Sequence, residues 1–250
     1  MSLEFLAPDA AVAFNDSAPL ARSPMERDTR AAGARFAARD GWNVAVGYGS
    51  AEREADAAAR TAGWADVSHL GKLEVQAGRD DLAAIVSEVT GGARLELGRA
   101  TRAGDAWWCP LTAERALVIA DTAALPSLRE RLEEAAAAAT QRASVVEVTS
   151  IFAALTLVGP LAREVFARFC ALDLRPRSLP VTGFRPGSIG RQPGLLVREG
   201  EDRFLFLFGW AVAHSMWTVV DDAGRHLGGV PIGVDALGTI EAPLPEVSRA

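Results

Sequence analysis

Asp66 and Ser68 stand two residues apart in Ala65-Asp66-Val67-Ser68, with His69 directly behind them. A carboxylate, a hydroxyl and an imidazole this close could hold a polar ligand or move a proton. The same residue types also bond neighbouring backbone groups in ordinary turns, and a lone histidine without a partner motif reads as a structural residue. Trp107 and Trp108, next to Cys109, offer flat apolar surface for a planar ligand, or large side chains for a core or an interface. Arg198, Glu199, Glu201 and Asp202 crowd a short stretch that reads as a hairpin tip, where acidic clusters are ordinarily solvated. Gly183, Gly187 and Gly190 match no phosphate-binding spacing and lack a following Lys-Ser/Thr. Cys109 and Cys170 have no histidine or cysteine at a metal-ligand spacing, so no metal site is expected and both read as inert core thiols.

These residues need elements to carry them. Residues 1–25, with Pro8, Pro19 and Pro24, read as an irregular lead-in, and Ser23-Pro24-Met25-Glu26 as a helix start. The alternation of Trp42, Val44, Val46 and Tyr48 predicts a half-buried strand. Residues 50–63 predict a helix with acids early and Arg60 late, as its dipole favours. Further on, strands are expected over 64–77, 93–100 and 145–158, and helices over 80–90, 126–140, 160–172 and 211–223. Hairpins are expected around Trp107-Trp108 with 115–120, and 195–198 with 203–208. Residues 241–250 read as a tail.

The second half repeats the order of the first. Asp66-Val67-Ser68 recurs 81 residues later as Glu147-Val148-Thr149, and Gly78 recurs at the same offset as Gly159. The acidic helix end at Glu133-Glu134-Ala135 recurs at Asp221-Asp222-Ala223, the longer offset falling in the loop of Pro176, Pro180 and Pro186. The expectation is one intertwined α+β domain over 26–240, with pseudo-repeats at about 64–142 and 145–238 and a shared core.

Composition excludes several classes. Hydrophobic residues make up 49% and charged residues 23% of the 250, which suits a globular core and not bulk disorder. The net charge of −6 repels phosphate, so neither nucleic acid nor an anionic lipid surface is expected as partner. The longest apolar run, Phe204 to Val212, falls well short of the roughly 18 residues that a spanning helix requires. Lys72 is the only lysine among 26 basic residues, which reflects codon supply more than an arginine-rich surface. With two cysteines and no signal-peptide pattern, a cytoplasmic setting is the expectation.

Four stretches carry a family resemblance: Gly33-Ala34-Arg35-Phe36 with Gly41-Trp42; Ala65-Asp66-Val67-Ser68-His69-Leu70-Gly71-Lys72; Leu155 to Arg163; and Trp217 to Gly224 with Pro231 to Leu237. In order and spacing they resemble the glycine-cleavage T-protein (aminomethyltransferase) superfamily, which includes domains of sarcosine and dimethylglycine oxidizing enzymes. The resemblance implies an internally duplicated, pseudo-two-fold, folate-binding α+β domain, and tetrahydrofolate as ligand. Longer relatives add a C-terminal β-barrel before which this sequence stops. The short form is similar to the γ subunit of heterotetrameric sarcosine oxidases.

The departures from the family pattern bear on chemistry. Thr90-Gly91-Gly92-Ala93-Arg94-Leu95 keeps the glycine pair of the catalytic stretch but not its aspartate pair. Asp105 lies nearby without the motif. The "R-T-G-Y-T-G-E-D-G-F-E" element is shortened to Arg198-Glu199-Gly200-Glu201-Asp202-Arg203-Phe204, with Glu201 approximating the folate-holding glutamate. Val234 and Gly238 stand where arginines are expected. The resemblance therefore implies a pocket for a reduced folate formed by Asp66, Ser68, Trp107, Arg198, Glu199 and Glu201. It sets two functions side by side: a protein of one-carbon or methylated-amine metabolism without classical aminomethyl transfer, or a non-catalytic subunit or interaction module of a sarcosine-oxidase-like complex. The strand 204–208, apolar at every position, and the helix after it predict an apolar face for a homodimer mate or oxidase subunits, unless both elements are wholly buried in the domain.

Overall fold

The computed structural model describes residues 20–240. Strand β1 (Ala21–Arg22) and helix α1 (Glu26–Ala31) lead to the hairpin β2 (Arg35–Arg39) and β3 (Trp42–Gly47), and β1, β3 and β2 form a small sheet. Helix α2 (Ala51–Arg60) follows, capped by Ser50, whose side chain accepts from the Arg53 N–H. Two large sheets come next. One is built from β5 (Gly71–Gln76), β6 (Thr101–Ala103), β7 (Ala106–Thr112), β8 (Arg115–Ala120) and β9 (Ser144–Glu147). The other is built from β4 (Gly63–Asp66), β10 (Phe152–Val158), β11 (Phe184–Ile189), β12 (Gln192–Gly200), β13 (Arg203–Gly209) and β14 (Val230–Pro231).

Their strand orders are β6-β7-β8-β5-β9 and β11-β12-β13-β10-β4-β14. The first five positions repeat one pattern, and the fifth strand is exchanged. β4, from the first half of the chain, pairs antiparallel with β10 (Leu155 opposite Asp66), whereas β9 crosses back onto β5 (Leu73 opposite Glu147). The duplication is thus a pseudo-two-fold arrangement in which each sheet contains chain from both halves.

The core is layered. Leu205 and Leu207 of β13 meet Trp107, Cys109, Leu117 and Ile119 between the two sheets. Helices α3 (Arg79–Thr90) and α4 (Leu125–Ala137) cover the outer face of the five-stranded sheet, and their Leu82, Ile85, Val86, Leu128 and Leu132 pack on Trp108 and Val118. Helices α5 (Ala162–Ala167) and α6 (Ala213–His226) cover the six-stranded sheet over Phe204, Phe206 and Phe208. Burying each such phenylalanine contributes about 2–3 kcal/mol. Every apolar side chain from Phe204 to Phe208 is at most 1% exposed, so the fully apolar strand reflects burial on both faces and leaves no free patch there. Helix α7 (Val234–Thr239) closes one end against α2 and β3.

Four expected elements differ. Residues 93–100 hold no strand beyond an isolated bridge at Arg99; Gly98 takes a positive φ and Leu97 is exposed. The helix expected over 160–172 is confined to α5. It follows Gly159, whose φ of +107° and approach to the Ala58 carbonyl leave no room for a side chain. The strands expected over 64–77 and 145–158 are each two strands split between the sheets. Residues 1–19 and 241–250, expected as lead-in and tail, lie outside the described residues.

Candidate functional site

A cavity of about 240 Å³ opens where the two sheets and α7 meet. Its walls are the β4–β5 turn (Val67, His69, Leu70), the β6–β7 hairpin (Arg102, Asp105, Trp107), the end of β8, Glu199 of β12, Arg203 and Leu205 of β13, and Val234, Leu237 and Gly238 of α7. Trp107 and Glu199, 92 residues apart, come together here: the indole Nε1–H donates to Glu199 Oε1 at 2.8 Å. Arg203 Nε–H donates to the other oxygen, Oε2, at 3.1 Å. Glu199 is only 8% exposed, and hydrogen bonds to both oxygens, one of them from a cation, are what a buried carboxylate requires. Arg203 also donates through Nη1 to the Ile240 carbonyl at 3.1 Å, tying the end of α7 to the same carboxylate. Arg102 lies over the Trp107 ring, 5.5 Å from its centroid.

His69 lines the same cavity. Burial, and then the positive charges of Lys72 and Arg39, push its pKa down to about 4, so it presents a neutral imidazole there. Asp66 and Ser68 lie behind it and do not line this cavity. Asp66 Oδ1 accepts from the Ser68 N–H at 3.0 Å, and Ser68 Oγ accepts from the Ala154 N–H at 3.1 Å, which holds the turn onto β10. Burial raises the Asp66 pKa, against hydrogen bonds from Ser23 and Ser68 that lower it. Lys72 is fully buried beside them; its Nζ donates to the Ser68 carbonyl at 2.7 Å, and desolvation lowers its pKa to about 7. Burial thus drives both ionisable groups of this layer toward their neutral forms.

Arg198 and Glu201 pair with each other at 2.7 Å, away from the cavity. The Arg198 side chain is buried, donates to the Leu179, Gly200 and Glu201 carbonyls, and lies over the Phe204 ring, whereas the Glu201 side chain is exposed. Of the six residues expected around a pocket, the structure brings Trp107 and Glu199 to the cavity, stacks Asp66 and Ser68 behind its wall, and directs Arg198 and Glu201 elsewhere. Arg203, His69 and Asp105 also line the cavity, although no sequence motif marks them as ligand-side residues. His69 could have been found from its place beside Asp66-Val67-Ser68, and Asp105 from its position just before the tryptophan pair. The cysteines are free, and burial raises the Cys109 pKa, which makes it a poor nucleophile. Among the described residues no group of three His, Cys, Asp or Glu side chains is placed to hold a metal, and no helix is long and apolar enough to cross a membrane.

The fold defines an α+β class of protein in which two sheets of one repeated strand order enclose an inter-sheet cavity. The family described as the GCVT N-terminal domain matches residues 25–243, and the chain belongs to it. It is 32% identical to the aminomethyltransferase of Moorella thermoacetica over 91% of this chain and 65% of that protein. It is 29% identical to that of Streptomyces coelicolor over 92% and 64%. The chain therefore spans about 65% of the length of these relatives. Among solved structures, the glycine cleavage system aminomethyltransferase T of Bartonella henselae superposes with a TM-score of 0.71 at 20% identity, covering 87% of this chain and 60% of that one. A chain of the heterotetrameric sarcosine oxidase of Corynebacterium sp. U-96 superposes with a TM-score of 0.64 at 23% identity, covering 84% of this chain and 97% of that one. At these identities the superpositions establish the fold.

Proposed function

We propose that this chain holds the pterin ring of a reduced folate, of the tetrahydrofolate type, in the inter-sheet cavity and serves one-carbon or methylated-amine metabolism without classical aminomethyl transfer. The observation that carries the reading is the clamped Glu199 carboxylate. Each of its oxygens can accept two hydrogen bonds and the protein supplies one to each, which leaves a paired acceptor for the adjacent N–H groups of a pterin. The lining fits the group: a carboxylate acceptor, a neutral imidazole at His69, and apolar walls from Trp107, Leu205 and Leu237. At about 240 Å³ the cavity is below the ~300–1,000 Å³ of pockets that enclose a whole drug-sized ligand, so the ring is enclosed and the tail of a folate lies outside. Reduced folate, when bound, supplies the acceptor nitrogen for a one-carbon unit. No residue of Thr90–Leu95 lines the cavity; the nearby Asp105 does, exposed at a hairpin tip and without a hydrogen bond that fixes it among the described residues. A carboxylate that is not held in place contributes little preorganised stabilisation of a transition state.

Calorimetric titration with tetrahydrofolate and 5-formyl-tetrahydrofolate tests this. Binding by the wild-type chain is expected, weakened roughly tenfold or more in Glu199→Gln, which loses the charged acceptor. Absence of heat at millimolar folate from a folded protein overturns the folate reading. The second reading, a non-catalytic subunit beside oxidase chains, is supported by the 97% coverage of a chain of the sarcosine oxidase assembly. Light scattering of the chain alone and with co-produced oxidase subunits checks it; a chain that does not associate with them removes it.

A further inference from the structure

His69 borders two cavities at once. It lines the inter-sheet cavity, and behind it a second one of about 10 Å³ that it shares with Ser23, Asn43 and Asp66. The smaller volume is close to the least that one water requires, and these residues give that water polar partners. The His69 backbone carbonyl accepts from the Thr122 hydroxyl, which anchors the turn, but no group among the described residues bonds the ring nitrogens. Asp66 is fixed: it is 6% exposed, its Oδ1 accepts from the Ser68 N–H at 3.0 Å, and Ser23 also bonds its carboxyl.

The two nitrogens of an imidazole lie on different edges of the ring, so a ring between two cavities presents one to each. The nitrogen on the small cavity meets the Asp66 carboxyl across one water, and that carboxyl offers an oxygen lone pair in either protonation state. This nitrogen therefore carries the proton. Burial, with the positive charges of Lys72 and Arg39 nearby, keeps the ring neutral, so the nitrogen on the large cavity is bare and accepts.

Strands β12, β13, β10 and β4 lie side by side, and Glu199, Leu205, Thr156 and the β4–β5 turn line the large cavity in that order. Glu199 and His69 thus stand at opposite ends, three strand spacings or roughly 14 Å apart at the backbone. A pterin whose N3 and 2-amino edge sits on Glu199 carries its second ring, with N5 and N8, toward His69. That ring records the oxidation state of a folate. In tetrahydrofolate N5 and N8 each carry a hydrogen and donate; in folic acid both are bare acceptors.

We propose that His69 is the residue by which this chain selects a reduced folate over an oxidised one, with Asp66 as the positioning residue that fixes its tautomer through one water. The inference rests on the folate reading above. An acceptor at this end of the cavity pairs with an N–H of the reduced ring; against the oxidised ring it meets a second lone pair, and both buried acceptors go unpaired.

Two measurements on the whole chain test this, the second without folate. By calorimetry the wild type is expected to bind tetrahydrofolate roughly tenfold or more tighter than folic acid. His69→Gln, whose amide presents either an oxygen or an N–H₂ group, is expected to bring the ratio to within about threefold. Asp66→Asn keeps the shape and an acceptor for the Ser68 N–H. It is expected to lower the ratio about fivefold, because an amide in place of an orienting carboxylate turns a histidine to the wrong tautomer. Nitrogen-15 NMR of the histidine side chains reads that tautomer directly. The signals that His69→Gln removes are expected to show one neutral tautomer in the wild type, and the other or a mixture in Asp66→Asn. A wild type without selectivity, an unchanged ratio in either variant, or mixed His69 tautomers in the wild type overturns the inference while folate binding stands. If a folded chain binds no folate at all, the folate reading falls and takes this selectivity with it.

Discussion

His69 is the residue whose environment departs furthest from what its surroundings in sequence imply. It follows two hydrogen-bonding residues at a turn and reads as structural, but the fold places it in the cavity wall with its imidazole largely buried near Lys72 and Arg39. Its folded pKa, about 4, lies below the unfolded value of about 6.5. Between those values the unfolded chain binds the proton and the folded chain does not, so stability is lost as pH falls from about 6.5 toward 4, by at most about 3 kcal/mol. Urea unfolding at stepped pH checks this: the loss over that window is expected in the wild type and should be largely absent in His69→Gln. A slope of equal size in the variant would assign the acid sensitivity to other groups. Residue type alone singled out Trp107, as flat apolar surface, and placed Glu199 in an acidic cluster; the family resemblance pointed to Glu201, which the fold turns away from the cavity. Glu201 was not separable from Glu199 in sequence. The β12–β13 ladder shifts register between Arg198 and Gly200, and simple alternation fails to tell which acid faces the cavity.

Helix α7 was legible only as a stretch of matching sequence, and its role is that of a wall. Its N-terminus is held by Glu54 of α2, a buried carboxylate that accepts from the Gly233 N–H at 2.8 Å and from the Tyr48 N–H at 2.7 Å. Gly233 itself lies so close to the Val46 carbonyl that a Cβ would stand 2.1 Å from it, so this approach requires glycine. The far end is held by Arg203, which also grips Glu199. Glu54→Ala leaves one buried and one partly buried N–H group without acceptors, and it is expected to destabilise the chain by about 2–4 kcal/mol in urea unfolding and to weaken folate binding with it. Retained affinity at full stability would show that α7 is held by its apolar contacts alone. The elements around it show what periodicity carries. Hydrophobic patterning found β3, by the alternation of Trp42, Val44, Val46 and Tyr48, and β13, by an unbroken apolar run. It joined β4 to β5 and β9 to β10, because hydrophobic period reports that a strand is buried and not the sheet in which it lies.

At the scale of the whole molecule, the repeat read from residues 66–78 and 147–159 predicts two similar halves, and the sheets do follow one order twice. What the sequence could not show is the exchange of the fifth strand. β4 leaves the first half to lie between β10 and β14, and β9 leaves the second half to complete the edge of β5. We propose that neither half is a folding unit. Residues 20–142 alone would keep β4 with no neighbour in its own fragment and β5 with a bare edge. They would also expose Trp107, Leu117 and Ile119, which the full chain buries against Leu205 and Leu207. Each such side chain returned to water forfeits about 1.5–3 kcal/mol, and a few of them match the entire stability of a typical domain, roughly 5–15 kcal/mol. Fragments 20–142 and 143–240 are therefore expected to show no cooperative urea transition when produced separately. When mixed at equimolar concentration they should recover a single transition and the near-ultraviolet circular dichroism of the intact chain, because the exchanged strands give each fragment an edge that only the other fills. A cooperative transition of 20–142 by itself, with native-like tryptophan signals, would show that the first half closes its own core and that the exchange is ornament to an already stable fold.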